Sequence, residues 1–120
     1  MRSVALAVVS NPTLEFWYSP LLRMELLLQP TLCGRKEELQ FYEKYFKGAN
    51  CFGDLDRTFE IGWRDALKHG IPVVDALHVA AANLARCKVL FTTESPTKPI
   101  FRTKLTQVVS ILNPLHKKYL

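Results

Sequence analysis

Cysteine is scarce in this chain. Cys33, Cys51 and Cys87 are the only three in 120 residues, and no two stand at C-x-x-C spacing. An odd count without that spacing argues against a disulfide framework or a zinc knuckle and fits reduced thiols in a cytosol. The histidines His69, His78 and His116 form no H-x-x-x-H pair. Long hydrophobic runs are also missing. Val4 to Val9 is too short even for a signal-peptide core, and "LLRMELLL" is interrupted by Arg23 and Glu25. The expectation is an intracellular, soluble, cytoplasmic protein without a membrane span. There is no Gly-rich phosphate loop, no G-x-S-x-G elbow and no Cys/His pair of recognisable spacing, so a small-molecule enzyme is poorly supported. Internal repeats, low-complexity tracts and linkers are absent as well.

What is present suits one globular domain. The length allows one ordinary domain and not two. Hydrophobic residues make up 48% and charged residues 22%, values of a chain that buries a core rather than staying disordered. Sixteen basic residues against eleven acidic ones give a formal charge of +5. A basic excess suits an anionic partner, nucleic acid above all, and equally suits a merely soluble surface.

The pattern alternates helices and strands. Ser3 to Ser10 reads as a short helix before Asn11-Pro12, with a strand as the alternative. Leu14 to Tyr18 reads as a strand. Ser19-Pro20 opens a helix over Leu21 to Gln29, which Pro30 should stop. Arg35 to Lys47 is helical, with Leu39, Tyr42 and Phe46 on one face and Gly48 as terminator. Ala49 to Phe52 is a weak strand. Asp54 to His69 is an amphipathic helix whose apolar face should hold Leu55, Phe59, Trp63 and Ala66. Pro72 to Ala85 is helical, Lys88 to Thr93 is a buried strand, and Val108 to Leu112 is another, closed by Pro114. Alternation of this kind predicts an α/β fold with a mainly parallel sheet and a site at the carboxyl ends of its strands.

Three carboxylates stand among apolar neighbours, where a charge is costly unless paired or bound to a metal. Glu25 lies inside "LLRMELLL", Asp75 inside "VVDALHVAAA", and Glu94 just after the strand "VLFTT". Each has an ordinary explanation. Glu25 fits a wet helix face, Asp75 fits a helix first turn, where the dipole favours an anion, and Glu94 fits a loop. Hard cations such as Mg²⁺ or Mn²⁺ prefer such oxygen ligands.

Taken in order with their neighbours, these residues resemble the PIN-domain family of metal-dependent ribonucleases. The likeness rests on "YSPLLRMEL" (Tyr18 to Leu26), "VVDALHVAAA" (Val73 to Ala82) and "VLFTTES" (Val89 to Ser95), with the tail "VVSILNP" (Val108 to Pro114) resembling the family's last strand. The second stretch looks like the family's "DALHLA" motif. The third looks like its strand-Thr-x-Asp motif, with Glu94 where aspartate is usual.

The resemblance implies a three-layer α/β/α fold. It also implies an endoribonuclease that uses one or two Mg²⁺ or Mn²⁺ ions, with Glu25, Asp75 and Glu94 as metal ligands and catalytic acids. Ser19 and Ser95 would support the acids by hydrogen bonding. Lys98, Arg102 and Lys104 in "ESPTKPIFRTK" would contact RNA phosphates, unless they line a solvated loop. His78 is expected to pack or hydrogen-bond rather than bind metal. The likeness further implies the toxin half of a toxin–antitoxin pair, with an antitoxin protein as partner.

One family feature is missing. The family opens with a central strand ending in a metal-binding aspartate, and here the only acid before Glu25 is Glu15. Three accounts are open. The natural start lies upstream, which is the favoured origin. Alternatively Ser3 to Ser10 is that strand without its acid, or a partner chain supplies the strand in a homo-oligomer, a dimer at its simplest. The alternative functions are a non-catalytic, degenerate PIN domain that binds RNA, or an interaction module that docks through "LLQPTL" or "FYEKYF".

Overall fold

The computed structural model describes residues 14–112, so the expected element at Ser3 to Ser10 and the closing Pro114 lie outside the described residues. The chain is mixed α/β with short parallel strands. β1 (Trp17–Tyr18) leads into α1 (Pro20–Leu32). Ser19 caps α1, its Oγ accepting from the Leu22 N–H at 3.2 Å, and Pro20 sits in the first turn, where a missing N–H costs nothing. The expectation that Pro30 stops this helix is corrected. The helix runs to Leu32 with Pro30 inside it and its ring buried. One proline near the end of a helix removes a single N–H, and burial of the ring offsets part of that loss. The true stop is Gly34, in the left-handed region at φ 64°. There the Arg35 N–H reaches Pro30 O at 2.9 Å and the Gly34 N–H reaches Thr31 O, the paired bonds of a Schellman closure.

α2 (Lys36–Gly48) carries Glu37 and Glu38 in its first turn and Lys47 in its last, which matches the helix dipole. Its Phe46 is buried against the Tyr18 ring at 4.8 Å, and Arg23 of α1 lies 5.6 Å over the same Phe46 ring. The Tyr45 hydroxyl donates to Trp17 O at 3.1 Å, and burial pushes that phenol up to about 12. These contacts tie α1 and α2 to β1. β2 (Asn50–Cys51) then pairs with β1 in parallel, Trp17 opposite Asn50.

α3 (Leu55–His69) starts at Asp54, whose carboxylate accepts from the Arg57 N–H at 3.2 Å, and ends at Gly70, again at φ 64°. Its buried face is not the expected one. Thr58, Gly62 and Asp65 are buried, whereas Phe59 and Trp63 are half exposed. The reason is the closeness of α4 (Val73–Leu84). A Cβ placed on Gly62 would stand 2.8 Å from Leu77 Cδ2 and 3.3 Å from both Ala76 O and Leu77 Cα. Two helices this close must face each other with small residues. α3 therefore turns its small side inward and its large apolar side outward.

α4 supplies Ala76, Leu77, Val79, Ala80, Ala81 and Ala82 to the interior. Besides α3, it packs against β1, β3 (Val89–Thr92) and the short 3-10 turn Pro99–Arg102. β3 pairs in parallel with β4 (Gln107–Ser110), Leu90 opposite Val108. Val79, Ile100 and Val108 form the core, with Leu90, Phe101 and Leu105 packed on it. Among the described residues the strands form two separate parallel pairs, and α4 lies across both. No helix of the described residues is long and apolar enough to cross a membrane.

A buried polar joint fastens the loop before β4. The Thr103 hydroxyl donates to Asp65 Oδ2 at 2.7 Å and accepts from the Leu105 N–H at 3.2 Å, while Asn83 Nδ2 donates to Leu105 O at 2.9 Å. Thr103→Val keeps the shape and removes both bonds of the hydroxyl. A buried carboxylate oxygen and an N–H then lose partners, and a loss of about 1–3 kcal/mol in stability is expected from urea denaturation.

Candidate functional site

Glu25, Asp75 and Glu94 come from three different elements. Glu25 sits on α1, five residues beyond its proline start, and its side chain is exposed. Asp75 is in the first turn of α4, where unpaired backbone N–H groups favour an anion. Glu94 follows β3, and its backbone N–H donates to Thr92 Oγ1 at 3.1 Å, a local turn that fixes the chain just past the strand end. Hence the acids stem from the N-terminal half of α1, the first turn of α4 and the carboxyl end of β3.

Electrostatics ties them together. Burial pushes the Asp75 carboxyl above its ordinary range, and the Glu94 carboxylate pushes it further up. His78 pulls it down, and Glu25 adds a smaller push upward. Asp75 therefore feels both other acids. His78, one helical turn after Asp75, has Nε2 3.0 Å from Glu25 Oε2. That contact joins α1 to α4 and holds Glu25 beside the Asp75 turn. It agrees with the expectation that His78 hydrogen-bonds.

The set is close but not closed. Among the described residues no group of three or more His, Cys, Asp or Glu side chains is gathered tightly enough to hold a metal ion. The donor chemistry nevertheless fits a hard divalent cation. All three acids offer carboxylate oxygens, and the burial that chiefly raises Asp75, with the push from Glu94 and Glu25 added, is a cost that a bound cation relieves.

The supporting residues are engaged elsewhere. The Ser19 hydroxyl caps α1. Ser95 Oγ lies 3.0 Å from Thr97 Oγ1, within its own loop. Among the basic residues, the Arg102 guanidinium donates to Gly70 O at 3.2 Å, which fastens the 3-10 turn to the α3–α4 corner. Lys98 and Lys104 are exposed, and neither forms an ion pair among the described residues.

A basic, aromatic depression escaped the sequence reading. Tyr18, Arg23, Glu43, Lys44, Phe46 and Lys47 line it. Arg23 there is bound to Glu43 at 3.5 Å. Its residues come from β1, α1 and α2, so only the packed fold brings Lys44 and Lys47 to Arg23. The clue available in sequence was that Lys44 and Lys47 lie one turn apart within "FYEKYFK".

No protein-family model matches the chain, and neither a curated protein nor a solved structure matches it.

Proposed function

We propose that the chain is a PIN-type, divalent-metal-dependent endoribonuclease of the cytoplasm, the toxin half of a toxin–antitoxin pair, with a three-layer α/β/α architecture. The observation that carries the reading is the placement of Asp75 in the first turn of α4, with Glu25 of α1 brought to that helix by its 3.0 Å contact with His78 and Glu94 just past the end of β3. The parallel pairing of the short strands, with α4 packed on β1 and β3, is compatible with it.

Glu25, Asp75 and Glu94 would hold the Mg²⁺ or Mn²⁺. The bound ion supplies an activated water and neutralises charge on the phosphate. The chain's own residues then do the following. Asp75 presents its carboxylate from a helix start. His78 holds Glu25 in place through the 3.0 Å contact between Nε2 and Glu25 Oε2. Lys98 and Lys104 attract the RNA backbone as unpaired ammonium groups. Arg102 keeps their loop fixed to the α3–α4 corner through Gly70.

The test is incubation of the purified chain with single-stranded and structured RNAs in Mn²⁺ or Mg²⁺, with a chelator as control. Cleavage that the chelator abolishes is the expected result. Intact RNA across the whole panel overturns the enzyme reading. A second reading, a non-catalytic RNA-binding domain, draws on the Glu25–His78 contact at 3.0 Å, which engages one acid without any metal. It predicts RNA binding that weakens with salt and ignores the chelator.

A further inference from the structure

We propose that the basic, aromatic depression between β1, α1 and α2 is a binding site for a nucleoside 5′-phosphate, with the phosphate on Lys44 and Lys47 and the base on Tyr18. The hollow measures about 580 Å³, within the range of about 300–1,000 Å³ that small-molecule sites occupy. The stretch "FYEKYFK" contributes Glu43, Lys44, Phe46 and Lys47 to it, and Tyr18 and Arg23 complete the lining. Phe46 is buried at its base. The Tyr18 ring, 4.8 Å from the Phe46 ring, is only half-buried and stands as a wall that a ligand ring can reach.

Charge sets the class of ligand. Arg23, Lys44 and Lys47 against Glu43, three cations against one carboxylate, leave the lining at +2. Lys44 and Lys47 are three residues apart, so one face of α2 presents both ammonium groups. Both side chains are exposed, and neither forms an ion pair among the described residues. Arg23 is already held, its guanidinium 5.6 Å over the Phe46 ring and 3.5 Å from the Glu43 carboxylate. The two unpaired ammonium groups match one phosphomonoester, which carries close to two negative charges at neutral pH because its second pKa is about 6. A carboxylate ligand leaves half of that charge unmet and brings no ring to Tyr18. An internal RNA phosphodiester is a monoanion too, so a site of this charge reads a terminal phosphate rather than the strand. The aromatic wall then takes the base, since every base has a face that stacks on a ring.

The depression is separate from the acidic cluster. Arg23 and Glu25 are two residues apart on α1, which turns them about 200° around the helix axis. The hollow therefore opens on the flank of α1 away from Glu25, and it shares no residue with the cluster. Its occupancy stands or falls apart from any nuclease activity. Glu43 acts as a brake, because its carboxylate engages Arg23 and repels an incoming phosphate. Both partners of that pair are about half exposed, so water already weakens it and a dianion competes for Arg23.

The test is isothermal titration calorimetry of the full chain at about pH 7.5, with a chelator present so that no metal bridges a nucleotide to Asp75 or its neighbours. Adenosine 5′-monophosphate (AMP) is the probe, beside adenosine, inorganic phosphate, and a trinucleotide with and without a 5′-phosphate. AMP is expected to bind at least about tenfold more tightly than adenosine or inorganic phosphate, since each of these makes only half of the contacts. Tyr18→Leu should weaken AMP by at least about fivefold, the loss of one base–aromatic stack. Lys44→Glu should weaken it by at least about tenfold, and Glu43→Gln should tighten it about three- to tenfold, because the lining charge rises and Arg23 is released. Circular dichroism confirms that each variant is folded. A phosphorylated trinucleotide that binds more tightly than AMP assigns the ligand to an RNA 5′ end, and one that binds no better assigns it to a free nucleotide; either upholds the site. No binding of AMP up to about 5 mM, equal binding of the trinucleotide with and without its phosphate, inorganic phosphate as tight as AMP, or AMP binding indifferent to Lys44→Glu overturns the proposal.

Discussion

Asp75→Asn is expected to abolish metal-dependent RNA cleavage and, at the same time, to raise the thermal stability of the protein at neutral pH. The two effects have one cause. In the folded chain Asp75 is partly buried and faces the fields of Glu94 and Glu25, with His78 only partly compensating. Its pKa is therefore raised on folding. A carboxyl with a raised folded-state pKa binds its proton more tightly in the folded protein than in the unfolded one. The folded state is then favoured most below the unfolded pKa, and that advantage is lost as pH rises through the folded pKa. At pH 7 the charge is a cost of folding, which an amide of the same shape removes.

Thermal melts from acid to neutral pH should show the wild type and Asp75→Asn close together at the acid end. Above the ordinary carboxylate range the variant should pull ahead. Cleavage in Mn²⁺ should fall by at least about 100-fold, since altering even an outer partner of a metal site costs 10–100-fold. Gain in stability with loss of activity marks a residue retained for function. If Asp75→Asn cleaves normally, the metal reading is wrong. If it is less stable than wild type at every pH, the electrostatic account of the site is wrong.

The helix around Asp75 was legible because its small apolar residues recur at helical spacing and the acid stands at the helix start. The α/β alternation and the parallel pairing were legible for a similar reason, since short apolar strands alternate with longer amphipathic stretches. The Glu25–His78 contact was not, because it spans 53 residues and depends on how α1 lies across α4. Pro30 misled because its cost was judged without the ring's burial, while the true terminator, Gly34, stood four residues on. Nor was the bond from the Arg102 guanidinium to the Gly70 carbonyl legible, since it spans 32 residues. The face of α3 was misread most. Periodicity pointed the large apolar side chains inward, although the helix buries Thr58, Gly62 and Asp65. Hydrophobicity measures what a residue gains by burial. Whether there is room is decided by the neighbouring helix, and no local pattern carries that.

Room is also why Gly62→Val should be the most damaging single substitution to the fold. An added Cβ would meet Leu77 Cδ2 at 2.8 Å, a contact that a side-chain rotation could relieve in an open place. Here Leu77 is buried, and the other two atoms in the way, Ala76 O and Leu77 Cα at 3.3 Å, belong to the backbone of α4. Gly62→Ala gains about 1 kcal/mol of helix propensity but already sets one carbon 2.8 Å from the buried Leu77 Cδ2, so a modest net loss is expected. Valine adds two methyl groups to the same gap and forfeits most of the propensity gain. The helices must then separate, and α4 carries with it the packing on β1, on β3 and on the Pro99–Arg102 turn. Overpacking of this kind costs about 1–3 kcal/mol where a core can adjust, and more where backbone must move. A loss of at least about 3 kcal/mol is therefore expected for Gly62→Val, measured by urea denaturation beside Gly62→Ala. Near-equal stability of the two variants would mean that α3 and α4 do not meet at Gly62.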